Sequence, residues 1–373
     1  MSMIRFICTL ASASFLLALS SLPTQAQTRN VDALQKANQG TVGLVSGQFG
    51  STALNFASDM AEVLDDFETF QTRLIVKLGK GTGQNVADLL FLKGTDIAIV
   101  QTDVLDHIRR NKIYNNIDGL LRYVTKLHDK EIHLVTSDDI SDISELNGKV
   151  VNLGPQQSGS FITGSLLLGL SGIESDIRLD TASVALRKLL EGQIDAAVIV
   201  DGKPSALLSN LPEGHSLHLL PITNEFMAEK YRAASFDSSD YPKLVDEGVS
   251  VPTLAVETVL AIYNWRPDNK RYPTAAKFID SFFDKLPQLQ SGDFHPKWQS
   301  VDIYADVDGW KRFSAATAWL DKNPIKPDEP EVDPLRVQFE AFLQSTQPNT
   351  EWSPEQKDLL FNQFRDWQKQ NSQ

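Results

Sequence analysis

Cysteine is almost absent from this chain of 373 residues, since the single one, Cys8, lies in an apolar N-terminal segment. The segment carries a positive charge at Arg5, continues with apolar or small residues from 6 to 19, and ends in Thr24-Gln25-Ala26. This order is typical of a secretory signal peptide over residues 1–26, and an uncleaved membrane anchor is the alternative. Cleavage after Ala26 leaves a mature chain without cysteine, which excludes disulfides and thiolate metal sites.

Long apolar runs and an excess of basic residues are also missing. Beyond residue 26 no stretch approaches the roughly 18 consecutive apolar residues that a membrane helix needs. The formal net charge is −13, whereas a protein that binds nucleic acid needs a basic surface. The composition therefore predicts a periplasmic protein without a nucleic-acid partner.

Short β-rich runs alternate with longer amphipathic runs in what remains. Strand-like runs at 41–46, 73–78 and 96–101 enclose helix-like runs at 51–66 and 84–94. This alternation predicts a parallel sheet with helices on its faces. It starts again with strand-like runs at 131–137, 149–153 and 195–200 and helix-like runs at 161–173 and 181–193. We therefore predict an α/β fold of two units.

The C-terminal third is less regular. Prolines 221, 242 and 252 interrupt the pattern from 221 to 255, before a strand-like run at 257–265 and a helix-like run at 274–286. Residues 323–334 are rich in proline and acid and read as a linker. Ser353 then caps an amphipathic helix whose stripe contains Leu360, Phe364 and Trp367. That stripe either packs onto the parent domain or serves as a dock for a partner.

Three turns between a predicted strand and a predicted helix are rich in glycine, serine and threonine: SGQFGST at 46–52, GTGQN at 81–85 and QQSGS at 156–160. The first N–H groups of a helix are unpaired and bind carboxylate, phosphate or sulfate. In open parallel sheets the ligand crevice lies outside the carboxyl ends of the strands. We therefore expect turns from the two units to face each other across one cleft.

A dinucleotide site is the alternative for the glycines of GKGTGQN at 79–85. They are spaced G-x-G-x-G, so the third glycine comes one position too early for the fingerprint G-x-G-x-x-G. The turn also follows the second predicted strand, whereas the fingerprint follows the first. No cofactor is therefore predicted.

Several blocks resemble the TAXI-type solute receptors of TRAP transporters, over about Val42 to Ile262. They are SGQFGSTALNFA, GTGQNVADLLFLKGTDIAIVQTDV, NGKVVNLGPQQSGSFITGSLLLGL and ALRKLLEGQIDAAVIVDGKP. The chain departs from the family in having Phe49 among the early glycines and Ala53-Leu54 where a pair of tyrosines is usual. The later proline-tyrosine region survives only as Asp240-Tyr241-Pro242.

The resemblance implies a type II periplasmic binding protein fold, with two α/β lobes joined by crossing strands around a ligand cleft. It also implies delivery of a small organic anion or amino acid to a membrane permease driven by an ion gradient. We expect residues 27–133 and about 256–322 to form lobe 1 and residues 134–255 to form lobe 2. Residues 323–373 would then be an added linker and helical tail, with a lid, dimer or partner role.

The predicted ligand-binding residues follow the strand ends of both lobes. Lobe 1 offers Ser46, Gln48, Ser51, Thr52, Thr82, Gln84, Asn85, Gln101 and Asp103, and lobe 2 offers Ser158, Gly159, Ser160, Asp201, Lys203 and Tyr241. Lys203 is expected to pair with a ligand carboxylate, Asp103 with an ammonium, and Tyr241 to stack on the ligand. The alternative role of the serines, the threonines and Asp103 is to cap the starts of helices. The alternative role of Tyr241 is to fill the hinge.

Two other functions are alternatives to that of a transport receptor. A secreted hydrolase of the α/β-hydrolase kind needs G-x-S-x-G, which the sequence lacks. His215 and His218 lack an obvious third zinc ligand and a water-activating glutamate. We therefore predict no enzyme and no metal. The same fold serving a membrane sensor remains the second alternative.

Overall fold

The computed structural model describes residues 38–65 and 72–324, together with Phe339, Leu343, Lys357, Leu360, Phe361 and Phe364. The predicted signal peptide and most of the predicted linker and tail lie outside the described residues. The chain divides into two compact units, Met1–Trp319 and Leu320–Gln373. None of the described helices combines the length and the apolar character that crossing a membrane requires.

Lobe 1 is built on three parallel strands in the order β2-β1-β3. In chain order its elements are β1 (Thr41–Val45), α1 (Thr52–Leu64), β2 (Arg73–Lys77), α2 (Thr82–Phe91), β3 (Ile97–Gln101), α3 (Thr102–Arg110) and α4 (Ile117–Leu120). Every residue of β3 is buried because helices cover the sheet, as the run of apolar residues predicts.

Lobe 2 repeats this plan with the parallel order β6-β5-β7. A 3₁₀ turn (Ile143–Leu146) precedes β5 (Val150–Asn152), α5 (Gly159–Leu170), β6 (Asp176–Arg178), α6 (Ala182–Leu190), β7 (Ala196–Asp201) and α7 (Ala206–Ser209). β8 (Leu217–Leu219), α8 (Glu225–Ala228) and β9 (Arg232–Phe236) follow, so the stretch from 221 onward is more regular than its prolines suggested.

Two long strands, β4 (Leu121–Ser137) and β10 (Val251–Tyr263), connect the lobes. They pair antiparallel with each other, while β10 also pairs with β3 of lobe 1 and β4 with β7 of lobe 2. One ten-stranded sheet thus runs through both lobes, with eight strands in the order β2-β1-β3-β10-β4-β7-β5-β6, β8 paired with β4 and β9 paired with β10. The predicted fold class, two α/β lobes with crossing strands, is confirmed, whereas the exact lobe boundaries stay predictions.

The first half of β4 was not predicted as a strand. Residues 121–130 contain Lys126, Asp129 and Lys130, and charged residues are unusual in a buried strand. Lys126 is accommodated by an ion pair of 2.8 Å with Glu257 on β10. Pro252 lies in β10 near its beginning, where a missing N–H is tolerated.

An aromatic cluster attaches the segment after β10 to lobe 1. α9 (Tyr272–Ser291) packs against α1, and the 3₁₀ turn Pro296–Ser300 inserts Trp298, which is fully buried. The Trp298 ring stacks on Phe56 with ring centroids 4.1 Å apart. The first compact unit ends at Trp319, within α10 (Ser314–Lys322).

The described tail residues are all helical, as predicted for the segment that contains Leu360 and Phe364. The Phe339 ring packs against Phe361 and Phe364, with ring centroids 5.6 and 5.3 Å apart. Helical residues near position 339 were not predicted. Phe361 and Phe364 thus contact another part of the same unit.

Candidate functional site

A cavity of about 90 Å³ lies where the carboxyl ends of β1, β3 and β7 meet, and both lobes form its wall. This is the place that the strand order predicts for a ligand. Of the predicted site residues, the wall contains Ser46, Gln48, Ser51, Thr82, Asn85, Gln101, Ser158, Gly159, Ser160 and Asp201. Their contact with a ligand stays a prediction.

The two glycine-rich turns that precede α2 and α5 both line this cavity and are in direct contact with each other. The backbone N–H of Gly83 donates to the carbonyl oxygen of Gln157 over 2.8 Å. A β-carbon on Gly81 would lie 2.6 Å from Cα of Ser158, and one on Gly159 would overlap the side-chain amide of Gln101. The turns therefore belong to one site, and their glycines allow close approach between the lobes.

The start of α5 presents two hydroxyl groups to the cavity. Ser158 Oγ accepts a hydrogen bond of 3.0 Å from Phe161 N and so caps the helix. Ser160 Oγ accepts one of 3.0 Å from Val200 N. Because both oxygens act as acceptors, each hydroxyl still has its proton available for a ligand oxygen.

The first turn uses its hydroxyl protons internally. Ser51 Oγ caps α1 and donates to Gln48 O over 2.8 Å, while Ser46 Oγ donates to Lys77 O over 3.0 Å. Asn85 donates its side-chain N–H groups to the carbonyls of Ser46 and Ile99, which ties β1 to β3. These side chains therefore form part of the cavity wall, but their hydrogen-bond donors bond to backbone carbonyls.

Asp201 at the end of β7 faces the start of α1 in the other lobe. Its carboxylate accepts from Thr52 N at 3.1 Å and from Ser205 Oγ at 3.0 Å. Burial raises the pKa of Asp201, and the charge of Lys130 opposes that shift. Thr52 itself is not on the cavity wall, because its Oγ1 donates to Gly202 O over 2.9 Å.

Lys130 on β4 lies on the cavity wall and was not predicted. Its side chain is in the interior, with the residue 8% exposed, and burial lowers its pKa while Asp201 and Asp103 partly offset that effect. Among residues 38–65 and 72–324, none forms a hydrogen bond or an ion pair with Lys130 Nζ. The only feature of the sequence that could have indicated Lys130 as a wall residue is its position next to a predicted buried strand.

Lys203 and Tyr241 lie off the cavity wall, contrary to the roles that we expected. Lys203 Nζ donates to Asp240 Oδ2 and to Ser235 O, both at 2.8 Å, so its ammonium group already has protein partners. The Tyr241 ring is buried, and its hydroxyl lies 2.7 Å from His133 Nε2 and accepts from Ser205 N at 2.8 Å. Tyr241 therefore packs in a buried core with Phe236, Leu244 and Val245.

Asp103 and Gln84 also lie off the wall. The Asp103 carboxylate accepts from Thr163 Oγ1 at 2.6 Å and from Tyr231 OH at 3.0 Å, so lobe 2 already supplies its partners. Burial raises the pKa of Asp103, and these hydrogen bonds oppose the shift. Gln84 Nε2 donates to Asp88 Oδ1, one turn along α2, over 2.8 Å. Within the described ranges, no group of three or more metal-binding side chains occurs.

Comparison with known proteins gives one family and several similar folds. Residues 57–309 match the model of the NMT1-like family. The periplasmic binding protein BugD is similar with a TM-score of 0.48 and 14% identity, covering 76% of this chain and 93% of its own. A TctC solute binding protein from Polaromonas has a TM-score of 0.39 and 15% identity, with coverages of 66% and 87%. The CcmR regulatory domain of Synechocystis PCC6803, in complex with 2-PG, has a TM-score of 0.40 and 13% identity, with coverages of 68% and 97%.

Proposed function

The chain belongs to the NMT1-like family, and we propose that it is an extracytoplasmic solute-binding protein that captures a small organic anion or amino acid. The observation that carries this proposal is a cavity whose wall comes from both lobes and includes the starts of α2 and α5. Gly83 N and Phe161 N already donate to Gln157 O and Ser158 Oγ, but the partial positive charge at the two helix starts still favours a negatively charged group.

Closure of the lobes supplies the capture step. Gly83 contacts Gln157, Thr52 contacts Asp201, and Asp103 contacts Thr163, each pair joining lobe 1 to lobe 2. A ligand in the cavity adds contacts to both lobes at once, so it favours the closed arrangement over the open one. Release then requires that these contacts separate.

Binding rather than catalysis is favoured by the composition of the wall. Serines line the cavity, but no histidine does in the part of the chain that the structure describes. In a Ser-His-Asp hydrolase a histidine removes the proton of the nucleophilic serine. Ser158 and Ser160 also accept backbone N–H groups, which suits them to holding a ligand in place.

Delivery to a permease of the TRAP type is the output that we propose. It is supported by the blocks GTGQNVADLLFLKGTDIAIVQTDV and NGKVVNLGPQQSGS, which resemble receptors of those transporters, and by the predicted signal peptide. The second candidate is presentation of the closed form to a membrane sensor. The additional helical unit around Phe339 favours this candidate, because it is an extra surface for a protein partner.

A ligand screen on residues 27–373 tests binding directly. The protein is unfolded and refolded to remove carried-over ligand, and its melting temperature is recorded with amino acids, organic acids, sulfonates, phosphate and sugars. A ligand at a hundred times its Kd stabilises the fold by about 2.7 kcal/mol. An unrelated acidic protein with the same panel corrects for general salt effects. Absence of any specific shift would overturn the proposed function.

A further inference from the structure

We propose that the ligand is a small monocarboxylate and that Lys130 is its counter-ion in the closed cleft. This inference rests on the proposed function and concerns the same cavity. Lys130 is the one lysine or arginine on the wall as described, and more than nine-tenths of the residue is buried. No described side chain or carbonyl forms a hydrogen bond or ion pair with its ammonium group.

The carboxylate on the wall, that of Asp201, is already compensated. It accepts Thr52 N, the first amide of α1, and Ser205 Oγ, so the positive end of that helix faces its charge. Asp201 and Asp103 attract the charge of Lys130, but neither forms a hydrogen bond or ion pair with its ammonium group, and burying a charge without a direct partner is unfavourable. A ligand carboxylate would supply the missing partner.

The size of the cavity limits the ligand. One water molecule needs about 10–15 Å³ of cavity volume. The cavity of about 90 Å³ therefore has room for a ligand of roughly six to nine non-hydrogen atoms. The hydroxyl protons of Ser158 and Ser160 can serve the second carboxylate oxygen or a neighbouring polar group. A dicarboxylate would bring a second negative charge to a wall with one basic side chain, which disfavours it.

A matched series of compounds tests this assignment. The probes are acetate, L-lactate, pyruvate and 3-methyl-2-oxobutanoate, each with its primary amide, and the dicarboxylates malonate and succinate. We expect at least one monocarboxylate to bind 100-fold or more tightly than its amide by titration calorimetry. We expect Lys130→Met to reduce that preference to less than tenfold, with a melting temperature of the free protein equal to or above that of the wild type.

Lys203→Met is the control, because it removes a lysine near the cleft whose ammonium pairs with Asp240 away from the cavity. It should keep the preference for the carboxylate. The inference is overturned if an amide or a dicarboxylate binds as tightly as the monocarboxylates, or if Lys130→Met keeps the preference. If Lys130→Met fails to fold, the compound series on the wild type still tests whether the ligand is a monocarboxylate. In each of these cases binding itself persists, whereas failure of the wider ligand screen would overturn the proposed function as well.

Discussion

The backbone amide of Gly83 donates to the carbonyl oxygen of Gln157 over 2.8 Å, which joins the start of α2 in lobe 1 to the turn before α5 in lobe 2. A β-carbon on Gly83 would lie 2.8 Å from that oxygen and 2.9 Å from Cβ of Gln157. Both distances are too short for carbon. Because Gly83 is helical, its role is to leave room for the opposite lobe rather than to permit an unusual backbone conformation.

Replacing Gly83 with alanine should separate stability from binding. Alanine favours a helix over glycine by about 0.5–1 kcal/mol, so the melting temperature of the free protein should rise. Its methyl group would block the closed contact with Gln157, so affinity for the ligand should fall at least tenfold. Thermal unfolding and calorimetry measure the two effects.

Gly169→Ala provides the matched control. Gly169 also lies in a helix, α5, but a β-carbon there would have no neighbour within 4 Å. We expect the same rise in melting temperature and an unchanged affinity. If Gly83→Ala binds ligand as well as this control does, closure does not depend on the space at residue 83.

The double variant Ser158→Ala with Ser160→Ala tests the start of α5. Losing the cap at Ser158 and the bond from Val200 N to Ser160 should destabilise the fold by about 2 kcal/mol in total, without unfolding it. Affinity should fall because two hydroxyl donors leave the cavity wall. Calorimetry on the folded variant gives the affinity.

Ser51→Ala is the comparison for that experiment. Ser51 also caps a helix, but its hydroxyl proton goes to Gln48 O. Its loss should lower stability by about 1 kcal/mol and leave affinity much closer to that of the wild type. An unchanged affinity in the Ser158 and Ser160 double variant would remove the α5 turn from the site.

Tyr241→Phe distinguishes a structural tyrosine from a ligand-binding one. Removing the hydroxyl leaves Ser205 N and His133 Nε2 without this partner in the interior, which should cost about 1–3 kcal/mol of stability. Affinity should not change, because the ring lies off the cavity wall. Lower affinity at unchanged stability would instead place Tyr241 in the site, as the sequence suggested.

The position of the cavity could be predicted because it depends on strand order, whereas its role as the ligand site stays a prediction. The turns at 81–85 and 156–160 follow β2 and β5, which lie in the two parallel parts of one sheet, and the carboxyl ends of such strands meet at one crevice. Contacts within the folded chain decide instead which polar groups remain available to a ligand. The sequence around Ser51 is equally compatible with capping and with ligand binding, and only the structure shows that its hydroxyl donates to Gln48 O.

The direction of individual side chains was harder to predict for the same reason. Lys130 faces the cleft because β4 pairs with β10 at Val256, 126 positions later, and local sequence carries no information about that pairing. Lys203 lies only two residues after Asp201, the last residue of β7, yet its ammonium pairs with Asp240 off the cavity wall. Charge and proximity to a strand end therefore do not identify the lysine of the cavity.

His133 gives a prediction for acid pH. Its ring is buried on β4, stacks on Phe236 and bonds to Tyr241, and burial lowers its pKa to about 3 from 6.5. The unfolded chain therefore binds a proton between pH 6.5 and 3 that the folded chain excludes. The contribution of neutral His133 is complete above pH 6.5 and is lost as the pH falls, by about 4–5 kcal/mol at pH 3.

Urea unfolding of the wild type and of His133→Gln from pH 7 to pH 4 measures this effect. The variant should be less stable at pH 7 and should lose less stability on acidification. Asp103 and Asp201, whose pKa values burial raises, act with the opposite sign, but they are present in both proteins and cancel in the comparison. His107→Gln, at a partly exposed position on α3, should keep the slope of the wild type. Equal slopes for His133→Gln and the wild type would mean that the pKa of His133 in the folded protein is close to its pKa in the unfolded chain.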